Sequence, residues 1–328
     1  MSGGHAFFNF QFSILNDMNQ DVTLPANVAK EVTLTVGTVY RSQSAQAWRQ
    51  FWRDPGAITG AVIVGLLLLM ALLAPLLAPY DPDQVFDEGL TLQGLPVPST
   101  LPESTQFILG TDPSGRDLLS RIIYGARVSL TVGVLANVLV VAIGLLVGSV
   151  SGYSRGWLGM LLMRFTDVML AFPTLLLATA LVAVLKPSLS IIIVVIGVVY
   201  WTGLARVVTA QVLRLREQDF VIAAKCTGVS SGRILSRHIL PHLVGIAIVW
   251  GTLGIATNVM LEASLSYLGI GVQPPTPSWG RMISEGQTYY RSAPWLILFP
   301  GIAIMLTVLG FNLLGDGLRD ALDPYQQR

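Results

Sequence analysis

The stretch RLREQDFVIAAKCTGVSSGRILSRHILPH, residues 214–242, decides how this chain is read, because it is polar and lies between two membrane-grade hydrophobic runs. A charged segment punctuated by Gly228 and Pro241 does not cross hydrocarbon; it must leave the bilayer. Gln218 to Cys226 has helical propensity, with Phe220, Val221 and Ala224 near one face and Arg216, Asp219 and Lys225 off it. Ala223 and Ala224 carry little bulk, so the surface of another protein can come close. Gly228 permits a sharp backbone turn that a residue with a Cβ resists. Pro241 has no amide proton, which suits the first turn of a following helix. The pattern predicts a short surface helix, a turn, a second amphipathic helix carrying Ile234, Leu235 and Ile239, and then membrane.

Composition sets the frame. The 328 residues are 52% hydrophobic and 12% charged, about half the charge of a soluble domain. A water-soluble chain of this length does not hide that much apolar surface in one core, so an integral membrane protein is predicted. The formal net charge of +1 gives no reason to expect nucleic acid. A single cysteine, Cys226, excludes an intrachain disulfide framework. The first hydrophobic run, Gly56 to Pro79, follows a hydrophilic lead too long for a cleavable signal and is read as an uncleaved span.

Windows of roughly 20 apolar residues cross the hydrocarbon, and six fit: about 57–79, 129–151, 164–185, 190–210, 244–268 and 294–315. An even number of spans puts both termini on one side. Lys and Arg decide which side. Fourteen of them, Lys30, Arg41, Arg49, Arg53, Arg155, Arg164, Arg206, Arg214, Arg216, Lys225, Arg233, Arg237, Arg319 and Arg328, share a face with the 211–243 segment. Six, Arg116, Arg121, Arg127, Lys186, Arg281 and Arg291, fall on the other. The richer face is expected to be cytoplasmic, with both termini inside. The expected organisation is a cytoplasmic tail over 1–55, a first transmembrane helix over 56–80 and a periplasmic segment over 81–127 ending in an amphipathic helix. A five-helix core over 128–316, including the 211–243 loop, and a cytoplasmic tail over 317–328 complete it.

With the spans in place, the polar stretch becomes specific. Ala223-Ala224, Gly228 and Leu240-Pro241, at their spacing, resemble the EAA loop of ABC-importer permeases. Three further stretches are similar to the C-type permeases of dipeptide, oligopeptide and nickel importers. They are Gly110-Thr111-Asp112 with Gly115 to Arg121, Gln273 to Gly280, and Phe311 to Asp320. The resemblance covers residue 48 to the C-terminus. It implies an all-α integral membrane protein of six transmembrane helices with a type I ABC-importer (MetI-like) permease core, in a bacterial inner membrane. It also implies a second homologous permease subunit, two ATP-hydrolysing subunits that receive the loop, an extracytoplasmic solute-binding protein and surrounding lipid. Asp219, Ala223, Ala224, Gly228, Leu240 and Pro241 are the expected coupling residues. One departure stands out: the acidic position that names the loop is Ile222 here, so a salt bridge from that position does not carry over. No G-x-x-x-x-G-K-[ST] loop occurs, so nucleotide is expected to be handled by another subunit. No cofactor and no catalytic group is expected.

Other residues carry smaller expectations. Gly251, Ile255, Asn258 and Glu262 share one helical face of the fifth span. A buried carboxylate there is costly, and Asn258 and Glu262 either line the route or bond a neighbouring helix. Gly144, Gly148 and Gly152 form a strip for close helix approach, within this subunit or against the partner permease. Arg116 to Arg127 reads as a surface helix before the second span, capped by Asp112 or Ser114, with Arg116, Ser120, Arg121 and Arg127 on its polar side. Asp167 is expected to pair with Arg164, and Pro173 and Pro300 to kink their spans. The alternative to an ATP-driven permease is an ion-gradient transporter or channel, for which Glu262 is the only support.

Overall fold

A computed structural model describes residues 48–98, 106–154 and 156–322, all of them within one compact unit, Ala47–Arg328. The expectations for residues 1–47, for Arg155 and for 323–328 lie outside the described residues. Within them the structure is helical, with three isolated antiparallel bridges in the 81–117 segment, Val85 with Arg116, Leu90 with Pro96 and Thr111 with Asp117, and no strand.

From Pro55 onward, the described residues form twelve α-helices. They are α1 (Pro55–Leu72), α2 (Ala74–Leu77), α3 (Leu118–Tyr153), α4 (Trp157–Ala171), α5 (Thr174–Leu185) and α6 (Leu189–Tyr200), then α7 (Thr202–Leu215), α8 (Asp219–Cys226), α9 (Ser231–Ile234), α10 (Leu240–Tyr267), α11 (Trp279–Gly286) and α12 (Trp295–Leu322). Four units are long and apolar enough to span a membrane alone: α1, α3, α9 running into α10, and α12. The other two candidate spans are bent pairs, α4 with α5 at 87° and α6 with α7 at 40°. Counting each pair as one span gives the six expected. The sharper bend sits at Phe172-Pro173, where Pro173 lacks the N–H that would continue the ladder. Pro300, in contrast, lies inside the continuous helix α12.

The 36-residue helix α3 is the organising element, because it presents small or polar residues to two neighbours. Toward its C-terminal end Gly144, Gly148 and Gly152 face α7. A Cβ at Gly148 would sit 2.6 Å from Val208 Cβ, and one at Gly152 2.8 Å from Thr209 O. The strip is therefore an internal seam, sealed by the Ser151 and Thr209 hydroxyls at 2.6 Å. Toward its N-terminal end Ser129, Gly133 and Asn137 face α10, with Gly133 against Val259 and Ile255. A third close approach joins α1 to α12, where a Cβ at Gly60 would meet the backbone of Leu314 and Gly310.

The start of α3 differs from the sequence reading. The surface helix expected before the second span is not separate, because α3 runs unbroken from Leu118. Its cap is Asp117, whose carboxylate accepts from Ser120 N at 2.8 Å, rather than Asp112 or Ser114. Ser120 and Arg121, placed on the polar side, are buried. The reason is that the residues after α2 fold back over this end: Tyr80 N donates to Ser120 Oγ, and Arg121 donates to Pro82 O. The described ends of the two expected tails pack together. Phe51 is buried with Ala57 and Ala321, and Gln50 Nε2 donates to Asp320 O at 3.1 Å, so α12 continues to Leu322 and meets the residues ahead of α1.

Candidate coupling site

Helix α8 and the turn after it form a protruding element whose base is buried and whose outer side is open. Val221 is fully buried. It joins Leu204, Val208 and Val212 of α7 with Ile234, Ile239 and Leu243, while Ala224 and Val229 close the edge of that cluster. Phe220, Ile222, Ala223 and Cys226 face outward. Phe220, expected beside Val221 and Ala224, is instead turned out, its ring 5.3 Å from that of His242. Asp219 begins α8 and is exposed, where its charge suits the helix N-terminus.

Gly228 ends the helix with φ +76°. Val229 N donates to Ala224 O at 3.2 Å and Gly228 N to Lys225 O at 3.0 Å, the paired bonds of a Schellman motif with glycine in its left-handed position. Nothing occupies the space where a Cβ would point, so only backbone conformation demands glycine there. Lys225 lies over the Tyr153 ring at 5.5 Å, and Arg216 donates to Gly152 O at 3.1 Å. The element is thereby tied to the last turn of α3.

In the second half of the loop no break separates the short helix from the span. Ser231–Ile234 passes through a π-helical turn, Leu235–Ile239, directly into α10. Leu240 and Pro241 occupy the first positions of α10, and the wider π turn accommodates a proline that cannot donate. Ser231–Tyr267 is thus one 37-residue helical unit.

At the far end of that unit lies the buried polar seam. Glu262 is completely buried and accepts from Ser129 Oγ at 2.8 Å and Ser266 Oγ at 2.7 Å. Asn258 Nδ2 donates to Asn137 Oδ1 at 3.3 Å, and Asn137 donates to Gly251 O at 2.6 Å. The face that carries Gly251, Ile255, Asn258 and Glu262 therefore lies against α3. Sequence reasoning missed the α3 partners because Ser129 and Asn137 sit alone among apolar residues; their i, i+8 spacing with Gly133 between them is the signal that was there. It also missed Arg206, which donates to Asp167 Oδ1 at 2.6 Å, closer than the expected Arg164 at 3.8 Å.

The remaining quoted motifs become joints around this seam. Asp112 accepts from Ser114 N, Arg116 N and Arg116 Nε, and its carboxylate is 3.2 Å from Arg121. Glu285 of α11 joins the same group, 2.9 Å from Arg281 and 3.7 Å from Arg121. Trp279 is fully buried, its indole donating to Ile122 O at 3.0 Å and its backbone N to Ser129 Oγ at 3.4 Å. Phe311 enters the main core, and Gly315 and Gly317 admit Leu253 and Ala57.

Residues 144–327, more than half of the chain, match the family described as "Binding-protein-dependent transport system inner membrane component". The chain belongs to that family. Residues 42–94 match the N-terminal transmembrane domain of oligopeptide transport permease C, which makes this a permease of the C type with the type I ABC-importer fold. A dipeptide transport system permease protein of Alkalihalophilus pseudofirmus is 48% identical over 221 residues, 67% of this chain and 73% of the relative. A di/tripeptide transport system permease protein of Pseudomonas aeruginosa is 42% identical over 287 residues, 87% of this chain and 93% of the relative. A glutathione transport system permease protein of Escherichia coli is 44% identical over 277 residues, 84% and 89% respectively. The permease is accordingly a multi-pass inner-membrane subunit of an ABC transporter, and ATP hydrolysis lies on separate subunits.

Proposed function

We propose that the chain carries di- or oligopeptides, or a related small solute such as glutathione, across the inner membrane as one half of a permease pair. It works with a second homologous permease, two ATPase subunits and an extracytoplasmic binding protein. Both termini and α8 lie in the cytoplasm, and the 81–117 segment and α11 lie outside. One observation carries the mechanism: α8 is held at its base by Val221 yet leaves Phe220, Ile222, Ala223 and Cys226 uncovered at its tip. An apolar tip with small residues suits insertion into a groove on an ATPase subunit. The contact does not require an acidic residue at position 222, because small side chains and shape supply it. Closing of the ATPases on ATP displaces α8, and the helices built on it exchange one opening for another. The states differ in energy through the contacts made at that tip.

The test uses the whole transporter in proteoliposomes, with labelled dipeptide and binding protein on one side and ATP on the other. Ala223→Trp adds bulk at an exposed position, so folding is expected to be unchanged, while ATPase co-purification and ATP-dependent uptake fall at least ten-fold. Undiminished uptake by that variant would refute the docking role. Uptake driven by a proton or sodium gradient without ATP would refute the ATP-driven reading altogether.

A further inference from the structure

Hydroxyls inside the spanning helices mostly donate to a carbonyl three or four residues back in the same helix. Thr131 donates to Arg127 O, Thr166 to Leu162 O, Thr179 to Leu176 O, Thr252 to Ile248 O, Ser264 to Met260 O and Thr307 to Ala303 O. Such back-bonding removes the donor from an apolar surrounding. Two exposed polar side chains well inside their 28-residue helices neither follow this pattern nor join the buried seam. Thr257 of α10 and Asn312 of α12 are exposed, and neither side chain bonds to any described residue. Both line the same groove, about 250 Å³ in volume, with Met260, Ser264 and Val308. Facing lipid, a carboxamide with two donors and an acceptor would leave all of them unmet, a cost of several kcal/mol.

We infer that this groove between α10 and α12 is the wall of the solute route contributed by this subunit. The inference rests on the permease reading and assigns its path. The groove lies on the side of α10 opposite Asn258 and Glu262, which are sealed against α3. It also continues. Met260 and Ser264 belong to a second cavity of about 400 Å³ that reaches Tyr267 and Gly280, some 15 Å of helix beyond Thr257. Leu175, just past the 87° bend at Pro173, also lines it. The lining has no formal charge. A hydroxyl and a carboxamide offer donors and acceptors matched to peptide N–H and C=O groups, and Met260 adapts to varied side chains. The chemistry fits a solute recognised by its amide backbone and not by its net charge. A neutral, adaptable wall suits passage of many sequences.

The test introduces Thr257→Cys and Asn312→Cys one at a time in the complete transporter and exposes it to a charged methanethiosulfonate. Modified sites are located by peptide mass mapping, so Cys226 stays native as a control. Both new thiols are expected to react at least ten-fold faster than Val138→Cys on the exposed side of α3, and a transported dipeptide with ATP should slow them several-fold. Asn312→Leu is expected to lower the uptake rate several-fold while co-purification of the ATPase and its basal hydrolysis hold. No reaction of either thiol in any nucleotide state would overturn the assignment, as would a disulfide from either to the second permease with no water access. Uptake by the unsubstituted complex tests the importer reading separately, so the two fail by different results.

Discussion

Gly228 offers a quantitative test of the coupling element, since its surroundings isolate one physical term. Its φ of +76° is a left-handed conformation, and no atom lies within 4 Å of a Cβ built there. Substitution therefore adds no clash, and the penalty is conformational alone. For an ordinary L-residue that penalty is about 1–2 kcal/mol, which corresponds to roughly a 5- to 30-fold change in an equilibrium. Alanine is expected to shift the turn by that factor toward a state that loses the two bonds closing α8, from Val229 N and Gly228 N. Asparagine, which tolerates the left-handed region, is expected to cost less, and valine, branched at Cβ, more. Hydrogen exchange at Gly228 and Val229 reads the turn directly, so protection should fall in the order glycine, asparagine, alanine, valine. Transport per ATP hydrolysed should fall in the same order. Global thermal stability should barely move, because Val221 still anchors α8. Equal protection for alanine and glycine, or asparagine as damaging as valine, would refute the argument that this turn is held by backbone conformation.

Cys226 is exposed on α8, so an impermeant maleimide is expected to label it from the cytoplasmic side only, and bound ATPase to shield it; labelling of intact cells from outside would reverse the orientation. Gly148→Leu is expected to pry α3 from α7, destabilising the detergent-solubilised protein by about 1–3 kcal/mol, read as a lower midpoint in thermal unfolding. Glu262→Gln retains an acceptor oxygen for one of the Ser129 and Ser266 hydroxyls, whereas Glu262→Ala leaves both unmet. The alanine variant should be the less stable of the two, and coupling between Ser129 and position 262 in a double-mutant cycle should be about 0.6–1.7 kcal/mol.

How much of this was legible in the sequence depends on what kind of contact each residue makes. The spans, the Gly228 turn and the helical start at Pro241 follow from local rules: apolar length, a left-handed position, a missing N–H. The glycine strip at 144, 148 and 152 announced close packing but not its partner, since periodicity on one helix says nothing of Val208 and Val212 on another. Arg121 misled for a related reason. An arginine on an apolar helix reads as solvent-facing until Pro82 and Glu285, distant in sequence, and the nearer Asp112 fold over it. Asn258 and Glu262 were visible as a polar face, yet their bonds to Asn137 and Ser129 of α3 were not. The boundary before α3 was lost because Arg127 looks like a membrane edge, while the helix itself has no reason to stop there.

The way α9 enters α10 bears on how a push at the proposed coupling loop would reach the far end of the helix. A hinge between the loop helix and the span would let α8 move while α10 stayed still. Ser231–Tyr267 has no such break; the π turn at Leu235–Ile239 absorbs Pro241 without interrupting the helix. At about 1.5 Å per residue the unit is some 55 Å long, with Ile234 and Ile239 in the cluster that holds Val221 at one end and Glu262 bonded to α3 at the other. On the proposed coupling, displacement of α8 would be carried as movement of α10 together with α3, because the two are bonded through Asn137 and Ser129. Relative motion has to be taken up where the ladder is already broken, at Phe172-Pro173 and at Trp201. The first of those breaks borders the groove through Leu175, so the unbroken 37-residue unit and the most bent pair meet where Met260 and Ser264 line the proposed route.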